Sequence, residues 1–365
     1  MKTGTDFVIS KDEVEQTLTS AQPAQLPETM RTSVLSAPGE LAVEQRPVPR
    51  PGPGQVLVSV GSVGVCGSDV HYYEHGRIGD FVVEDPLVLG HEAGGAVVAV
   101  GTDVDPARVG QRVALEPGVP CRRCDQCKIG RYHLCPRMRF FATPPIDGAF
   151  CEYVVLDEDF AHPVPDALSD DAAGLIEPLS VGVWACQKAE VGAGTRLLVS
   201  GAGPIGVLVT QVARALGATS VVVSDLAEPR RAAAERFGAT AVLDPREQEP
   251  AGLGEFDAFV DCSGAEPAVL SGMRALRPAG RAVLVGMAAE QITIPVPLLQ
   301  TRELVLTGTF RYANTWPTAI ALAASGQVDL DSLVTGHFGL DEVRAALSAN
   351  ADPTSIKPVV RPRGV

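Results

Sequence analysis

The sequence predicts an α/β protein in which a doubly wound parallel sheet is joined to a second, strand-rich unit. Three observations lead there. After about Trp184, apolar strands alternate with Ala-rich helices, at Arg196 to Ser200, Ile205 to Leu216, Ser220 to Ser224 and Pro229 to Phe237. That rhythm builds βαβ units and therefore a parallel sheet. Upstream, short β-like runs at Gln55 to Val60, Ala96 to Val100 and Arg112 to Leu115 are separated by turn signals such as Pro51-Gly52-Pro53-Gly54. Finally, 365 residues exceed what one hydrophobic core usually serves, so two domains are expected.

Taken in order, Met1 to Met30 is polar and shows no sustained alternation, which reads as a loosely ordered extension, with a downstream start at Met30 as an alternative. Residues 31–184 form the strand-rich unit. Residues 185–316 form the parallel-sheet domain, whose rhythm continues through Ala258 to Asp261 and Ala282 to Val285. The composition shifts near Trp316, and the residues from 317 to 365 are too few for a third domain, so they are expected to return to the first.

Composition narrows the function. The chain is 45% hydrophobic and 20% charged, with 37 Gly and 29 Pro, as expected of a globular enzyme. A net charge of −14 provides no basic field for nucleic acid or anionic lipid. The longest apolar stretch, Leu197 to Thr210, is interrupted by Ser200, Gly201, Gly203 and Pro204, which excludes a membrane span. The first thirty residues carry no secretory apolar segment, so a cytoplasmic protein with reduced thiols is expected.

The strand Leu197 to Ser200 runs into Gly201-Ala202-Gly203-Pro204-Ile205-Gly206 and then into an apolar helix. This is a GxGxxG turn in the context that binds a dinucleotide. Gly201 permits the tight turn, Gly203 lets backbone approach a pyrophosphate, and Gly206 lets helix and strand pack closely, while the helix N-terminus offers free N–H groups. Asp225 follows Gly206 by nineteen residues, where a carboxylate accepts ribose hydroxyls and repels a 2′-phosphate. NAD is thus expected rather than NADP. Arg230 is expected near the adenosine, and Arg231 toward solvent.

Four of the eight cysteines fall as Cys121-x2-Cys124-x2-Cys127-x7-Cys135, a spacing that wraps four thiolates around one zinc and leaves no open position. Such a site holds a loop in shape; a redox-active cluster or disulfide pair is the competing reading. Cys151, Cys186 and Cys262 stand alone in apolar surroundings and read as core thiols. A second constellation joins Cys66, after a strand, with His91 and Glu92 in Gly90-His91-Glu92. One thiolate, one imidazole and one carboxylate would leave a zinc position open to a substrate oxygen, where the ion acts as a Lewis acid on an alcohol. Spacing alone leaves a buried thiol and a satisfied histidine as equal alternatives.

With these residues in view, the chain resembles the polyol branch of the zinc-containing medium-chain dehydrogenases, the sorbitol and xylitol dehydrogenases, from about Met30 to the C-terminus. The segments that carry the likeness are Cys66-Gly67-Ser68-Asp69-Val70-His71-Tyr72, Gly76-Arg77-Ile78-Gly79, Gly90-His91-Glu92-Ala93, Glu177-Pro178-Leu179-Ser180 and Phe310-Arg311-Tyr312-Ala313-Asn314-Thr315-Trp316. The resemblance implies a Rossmann domain beside a GroES-like catalytic domain, two zinc ions per chain and NAD. It implies that Cys66, His91 and Glu92 ligate a catalytic zinc, with Glu177 near enough to contact substrate or exchange into the metal shell. It further implies that Tyr72, Glu177, Arg311 and Tyr312 contact the polyol.

Cofactor contacts are expected from Ile205, Val285, Gly286, Met287, Phe310 and Arg311 besides the glycines, Asp225 and Arg230. Ser68 and His71 look placed to carry the alcohol proton to solvent. A homo-oligomer, with a tetramer favoured, is implied as well. Competing functions are an L-threonine 3-dehydrogenase or other zinc secondary-alcohol dehydrogenase and, outside enzymes, an NAD-binding sensor or structural protein; the Phe310-Arg311-Tyr312 segment argues against the first and the intact Cys66, His91, Glu92 and Glu177 against the second.

Overall fold

The computed structural model describes residues 26–287 and 291–364. The chain enters through an antiparallel hairpin, Thr29–Ala37 with Glu40–Pro47. Its first strand begins inside the stretch expected to be a loose extension, because Met30 is buried in the core. The remainder of that expected extension, residues 1–25, lies outside the described residues.

Strand β1 (Gln55–Gly64) leads into helix α1 (Gly67–His75), followed by β2 (Glu92–Val100), β3 (Arg112–Leu115), β4 (Tyr153–Asp157) and β5 (Ala161–Pro163). Helices α2 (Asp170–Gly174) and α3 (Ile176–Lys188) then carry the chain out of this region. Burial along β1 does not alternate: Val56, Leu57 and Val58 are buried in succession, as are Ser62, Val63 and Gly64, so both faces of the strand meet the interior.

The βαβ rhythm then appears as expected: β6 (Arg196–Ser200), α4 (Pro204–Ala215), β7 (Ser220–Ser224), α5 (Glu228–Arg236), β8 (Ala241–Leu243), β9 (Phe256–Asp261), α6 (Glu266–Arg274), β10 (Leu276–Leu284) and β11 (Val305–Gly308). All neighbours in this six-stranded sheet are parallel, in the order β8-β7-β6-β9-β10-β11. The order reverses between β6 and β9, and that reversal opens a crevice at the strands' carboxyl ends, where dinucleotides bind in doubly wound folds. Buried apolar strands such as Val221, Val222 and Val223 of β7 reflect helices covering both faces.

Helix α7 (Trp316–Ala324) packs against α3, and the chain closes with β12 (Val334–Phe338) and β13 (Lys357–Val360). The latter pairs antiparallel with β1, so the C-terminal residues complete the first sheet, ordered β5-β3-β2-β1-β13-β12 with β4 also on β1. One apolar core runs from Leu175 and Leu179 through Val199 and Leu208 to Trp316. This continuous packing fixes the two sheets relative to each other, which in turn positions the residues between them.

Candidate active site and metal centres

Cys66 stands between β1 and α1, at the helix N-cap position. Its backbone N–H donates to Oδ2 of Asp69 at 3.0 Å, and the other oxygen of that carboxylate accepts the N–H of Gly90 at 2.9 Å. Asp69 is fully buried and also lies 3.7 Å from His91 Nδ1. One carboxylate therefore holds both segments of the constellation. Asp69 falls inside the Cys66–Tyr72 motif, and the sequence signal for its bracing task is its place three residues after a helix N-cap.

Through this bracing, donor atoms of Cys66, His91 and Glu92 come within 4.8 Å of one another. Burial opposes charge on His91, but the nearby Cys66 thiolate and Asp69 raise its pKa well above the usual imidazole range. A site whose field attracts a proton this strongly also suits a cation, and its sulfur, nitrogen and oxygen donors are those zinc takes. Both oxygens of Glu92 accept hydrogen bonds from Lys357 Nζ, each at 2.8 Å, and the ammonium also donates to the Val65 carbonyl at 3.0 Å. Lys357 reaches the site from β13 across 265 positions of sequence, a separation that left no local signal.

Glu177 lies in the first turn of α3. Tyr312 donates its hydroxyl to Glu177 at 2.7 Å. Burial pushes the Glu177 carboxyl up to about 7, with His91 opposing and Glu92 reinforcing the shift. Burial likewise raises Tyr72, while the Arg311 charge and a hydrogen bond with Thr143 pull the other way. The Arg311 guanidinium lies over the rings of Phe140, at 3.9 Å, and Phe310, at 4.7 Å. Burial pulls it down to about 10 against the charges of Tyr312, Glu177 and Tyr72. Phe140 and Thr143 reach the site from a stretch with no sequence motif of its own.

Ser68 and His71 are three residues apart on α1 and so share a helix face. Ser68 is half-buried and His71 exposed; among the described residues no hydrogen bond joins them.

The second cluster is closed. Sulfur atoms of Cys121, Cys124, Cys127 and Cys135 lie within 4.8 Å of one another. Cys124 and Cys127 sulfurs are 3.4 Å apart, well beyond a disulfide bond, so the disulfide alternative fails for that pair. Backbone N–H donation from Arg123 is the main force lowering Cys121 to about 5, and Arg137 adds a side-chain hydrogen bond at 3.3 Å. Burial and hydrogen bonds with the neighbouring sulfurs push Cys127 the other way, up to about 12, so it is the convergence of four sulfurs that fits a zinc with no vacant position. Cys151, Cys186 and Cys262 join neither metal cluster among the described residues, and burial pushes Cys151 up to about 12 and raises the other two.

At the reversal point between β6 and β9, Gly201 adopts φ +86°, and a Cβ there would sit 3.0 Å from the Ser263 nitrogen. A Cβ on Gly206 would meet the Gly201 carbonyl at 1.8 Å, whereas one on Gly203 would meet nothing within 4 Å. The first two glycines serve packing, and the third leaves open space in front of the α4 N-terminus. A cleft of about 440 Å³ follows, lined by Gly201, Asp225, Leu226, Ser263 and Ala265 among others. Asp225 accepts the N–H groups of Ala202 at 2.7 Å and Ala227 at 2.8 Å, one on each oxygen, which leaves lone pairs on both. Those free lone pairs and the open space at Gly203 fit a dinucleotide.

Arg230 donates to the Asp352 carbonyl at 3.2 Å and keeps a buried Nη1 without a partner beside the Asp225 charge. Arg231 departs from expectation: it is drawn inward to the carbonyls of Asp225 and Leu226, at 2.8 and 2.9 Å, and to Asp244 at 3.2 Å. Those carbonyls at the end of β7 need donors, and the arginine one turn into α5 supplies them. Ile205 opens α4; Val285 and Gly286 lie just past β10, while Met287 and Phe310 are exposed.

A doubly wound dinucleotide fold joined to a cysteine-histidine-glutamate metal cluster defines a zinc-dependent nicotinamide dehydrogenase. Family models for an alcohol dehydrogenase GroES-like domain, over residues 52–166, and a zinc-binding dehydrogenase, over residues 204–325, both match. Sorbitol dehydrogenase from Bos taurus is 42% identical over 90% of this chain and 95% of its own, and that from Macaca fascicularis 45% over 86% and 90%. A zinc-binding dehydrogenase from Sinorhizobium meliloti solved with NADP superposes with a TM-score of 0.86 at 30% identity, covering 92% of this chain and all of its own. The chain belongs to the zinc-containing medium-chain dehydrogenase family, next to its sorbitol dehydrogenases.

Proposed function

We propose that this protein oxidises a secondary hydroxyl of a polyol such as sorbitol or xylitol to the ketose, passing hydride to NAD. The observation that carries this reading is the Tyr312–Glu177 hydrogen bond. It brings the Phe310-Arg311-Tyr312 segment, which follows the nucleotide-binding sheet, onto the Cys66-His91-Glu92 cluster of the other domain. That contact supports a single site shared by substrate, metal and cofactor.

When bound, zinc supplies the Lewis acid for the alcohol oxygen and NAD the hydride acceptor. Cys66, His91 and Glu92 would hold that ion, and the four cysteines from Cys121 to Cys135 a second, giving two per chain. Lys357 offsets the charge of Glu92 in the buried site. The Arg311 guanidinium donates no hydrogen bond to a described residue, so its N–H groups are available to substrate hydroxyls, and Tyr72 and Tyr312 flank them. Ser68 Oγ is the proposed outlet for the alcohol proton, releasing its own proton as it takes the alcohol's, and the exposed His71 imidazole is the acceptor after a side-chain rotation brings the two together. A buried carboxyl near 7, that of Glu177, accepts or returns a proton at neutral pH.

Asp225 favours NAD because the carboxylate receives ribose hydroxyls and repels a 2′-phosphate. Arg230, Val285, Gly286, Met287 and Phe310 complete the cofactor's surroundings, with the domain division near residues 184 and 316. The family resemblance favours a cytoplasmic homo-oligomer, a tetramer.

The test is NADH formation, followed by absorbance, with sorbitol, xylitol, ribitol, galactitol and L-threonine on zinc-loaded protein. Activity on a polyol, lost on chelation and weak with NADP, is the expected outcome. A preference for L-threonine would overturn the polyol reading.

A further inference from the structure

Asp261, the last residue of β9, is 1% exposed and appears in none of the motifs above. Its Oδ1 accepts the Ser200 hydroxyl at 2.6 Å, the Ser263 hydroxyl at 2.7 Å and the Ser263 N–H at 3.1 Å, while Oδ2 accepts the Gly264 N–H at 2.9 Å. Its carbonyl accepts the N–H groups of Val285 at 2.8 Å and Gly286 at 3.0 Å. One residue thus ties together the ends of β6, β9 and β10. Those ends form the floor of the crevice, and Ser263 lines the cleft opposite Asp225.

The loops it joins are in close contact, since a Cβ on Gly286 would lie 2.2 Å from the Gly264 nitrogen. A shift at Gly264 therefore displaces Gly286 as well. From this arrangement we infer that Asp261 is a positioning residue for the dinucleotide: it does not touch the cofactor but sets the spacing of the loops that do. The inference rests on the proposed NAD site and goes beyond it by naming what holds the site in shape.

Asp261→Asn keeps size and one acceptor, but its amide must point a donor at the Gly264 N–H or, turned over, at the serine donors. The loops then separate while the core beneath stays filled. NADH affinity, titrated by fluorescence on zinc-loaded protein, is expected to fall about tenfold. The polyol KM at saturating NAD and the zinc content should stay as in the wild type.

Wild-type NADH affinity with a lowered Tm would mean that Asp261 serves only the fold, and would overturn the inference. Should the variant not fold, Ser200→Ala removes one buried tie and is expected to weaken NADH about two- to threefold; unchanged affinity there overturns the inference equally. A wild-type protein that binds no NADH would instead remove the NAD site itself.

Discussion

The backbone at Cys66 is held independently of its side chain, so replacing that side chain alters chemistry more than fold, whereas the Asp225 carboxylate also ties the Ala202 and Ala227 N–H groups at the nucleotide-binding turn. The Cys66 N–H is satisfied by Asp69 whatever the side chain. Cys66→Ser keeps that bond and exchanges a zinc-avid thiolate for a hydroxyl that stays protonated. We expect turnover to fall at least about a thousandfold, NADH affinity to be unchanged, and metal analysis to drop from two zinc ions per chain to one. Full activity would remove Cys66 from the site. Asp225→Ala takes away the ribose acceptor and the repulsion of a 2′-phosphate together. The NAD dissociation constant should rise about tenfold and the preference over NADP should narrow, which parallel NADH and NADPH titrations would measure.

The glycines, Asp225 and the four-cysteine lobe stand out at this scale because their patterns are local, whereas spacing alone left Cys66, His91 and Glu92 undecided and the resemblance joined them. Lys357 and the inward turn of Arg231 were not: the first meets Glu92 only through sheet closure, and the second answers carbonyls whose need appears once β7 and α5 are folded.

Among elements, α2 is a short helix with an unusual share of the anchoring. Ser169 caps it by accepting the Ala172 N–H at 2.9 Å, a signal visible in the Ser-Asp-Asp sequence. Less visible was Asp171, whose carboxylate receives Ser62 of β1 at 2.8 Å, His337 of β12 at 2.7 Å and Arg361 beyond β13 at 2.7 Å. The partners come from three distant stretches, so helical periodicity says nothing of them. Burial pushes the Asp171 pKa up, but hydrogen bonds from Arg361, His337 and Ser62 outweigh it and hold the carboxyl below its usual range.

A carboxyl lowered on folding stabilises the native state above its unfolded pKa of about 4 and loses that contribution as pH falls through the lower folded value. Asp171→Asn should therefore cost about 2–3 kcal/mol at neutral pH. Urea denaturation should show the difference from wild type shrinking below about pH 4. A difference independent of pH would mean that the charge on Asp171 contributes nothing.

At the scale of the whole molecule, the two-sheet plan was readable because hydrophobic rhythm changes from one half to the other, and the return of the C-terminus followed from the shortness of what remained. What no segment could reveal was the contact between halves. Tyr312 follows the nucleotide-binding sheet and Glu177 lies in the first turn of α3, 135 positions earlier, and their hydrogen bond reaches a carboxyl that feels the charges of His91 and Glu92. It is one of the influences lowering the Glu177 carboxyl, which burial otherwise raises.

Tyr312→Phe removes only the hydroxyl, so the ring still packs against Trp316 and the fold should persist. Without that donor the Glu177 pKa must move further up. If the ionised carboxylate supports turnover, the acid limb of the kcat/KM profile for a polyol shifts to higher pH, and kcat/KM at neutral pH falls about tenfold. NADH affinity should be unaffected, because the lost bond lies on the substrate side. A profile that keeps its acid limb while losing rate would show that Tyr312 acts on the substrate alone, and that Glu177 is not the group titrating in turnover.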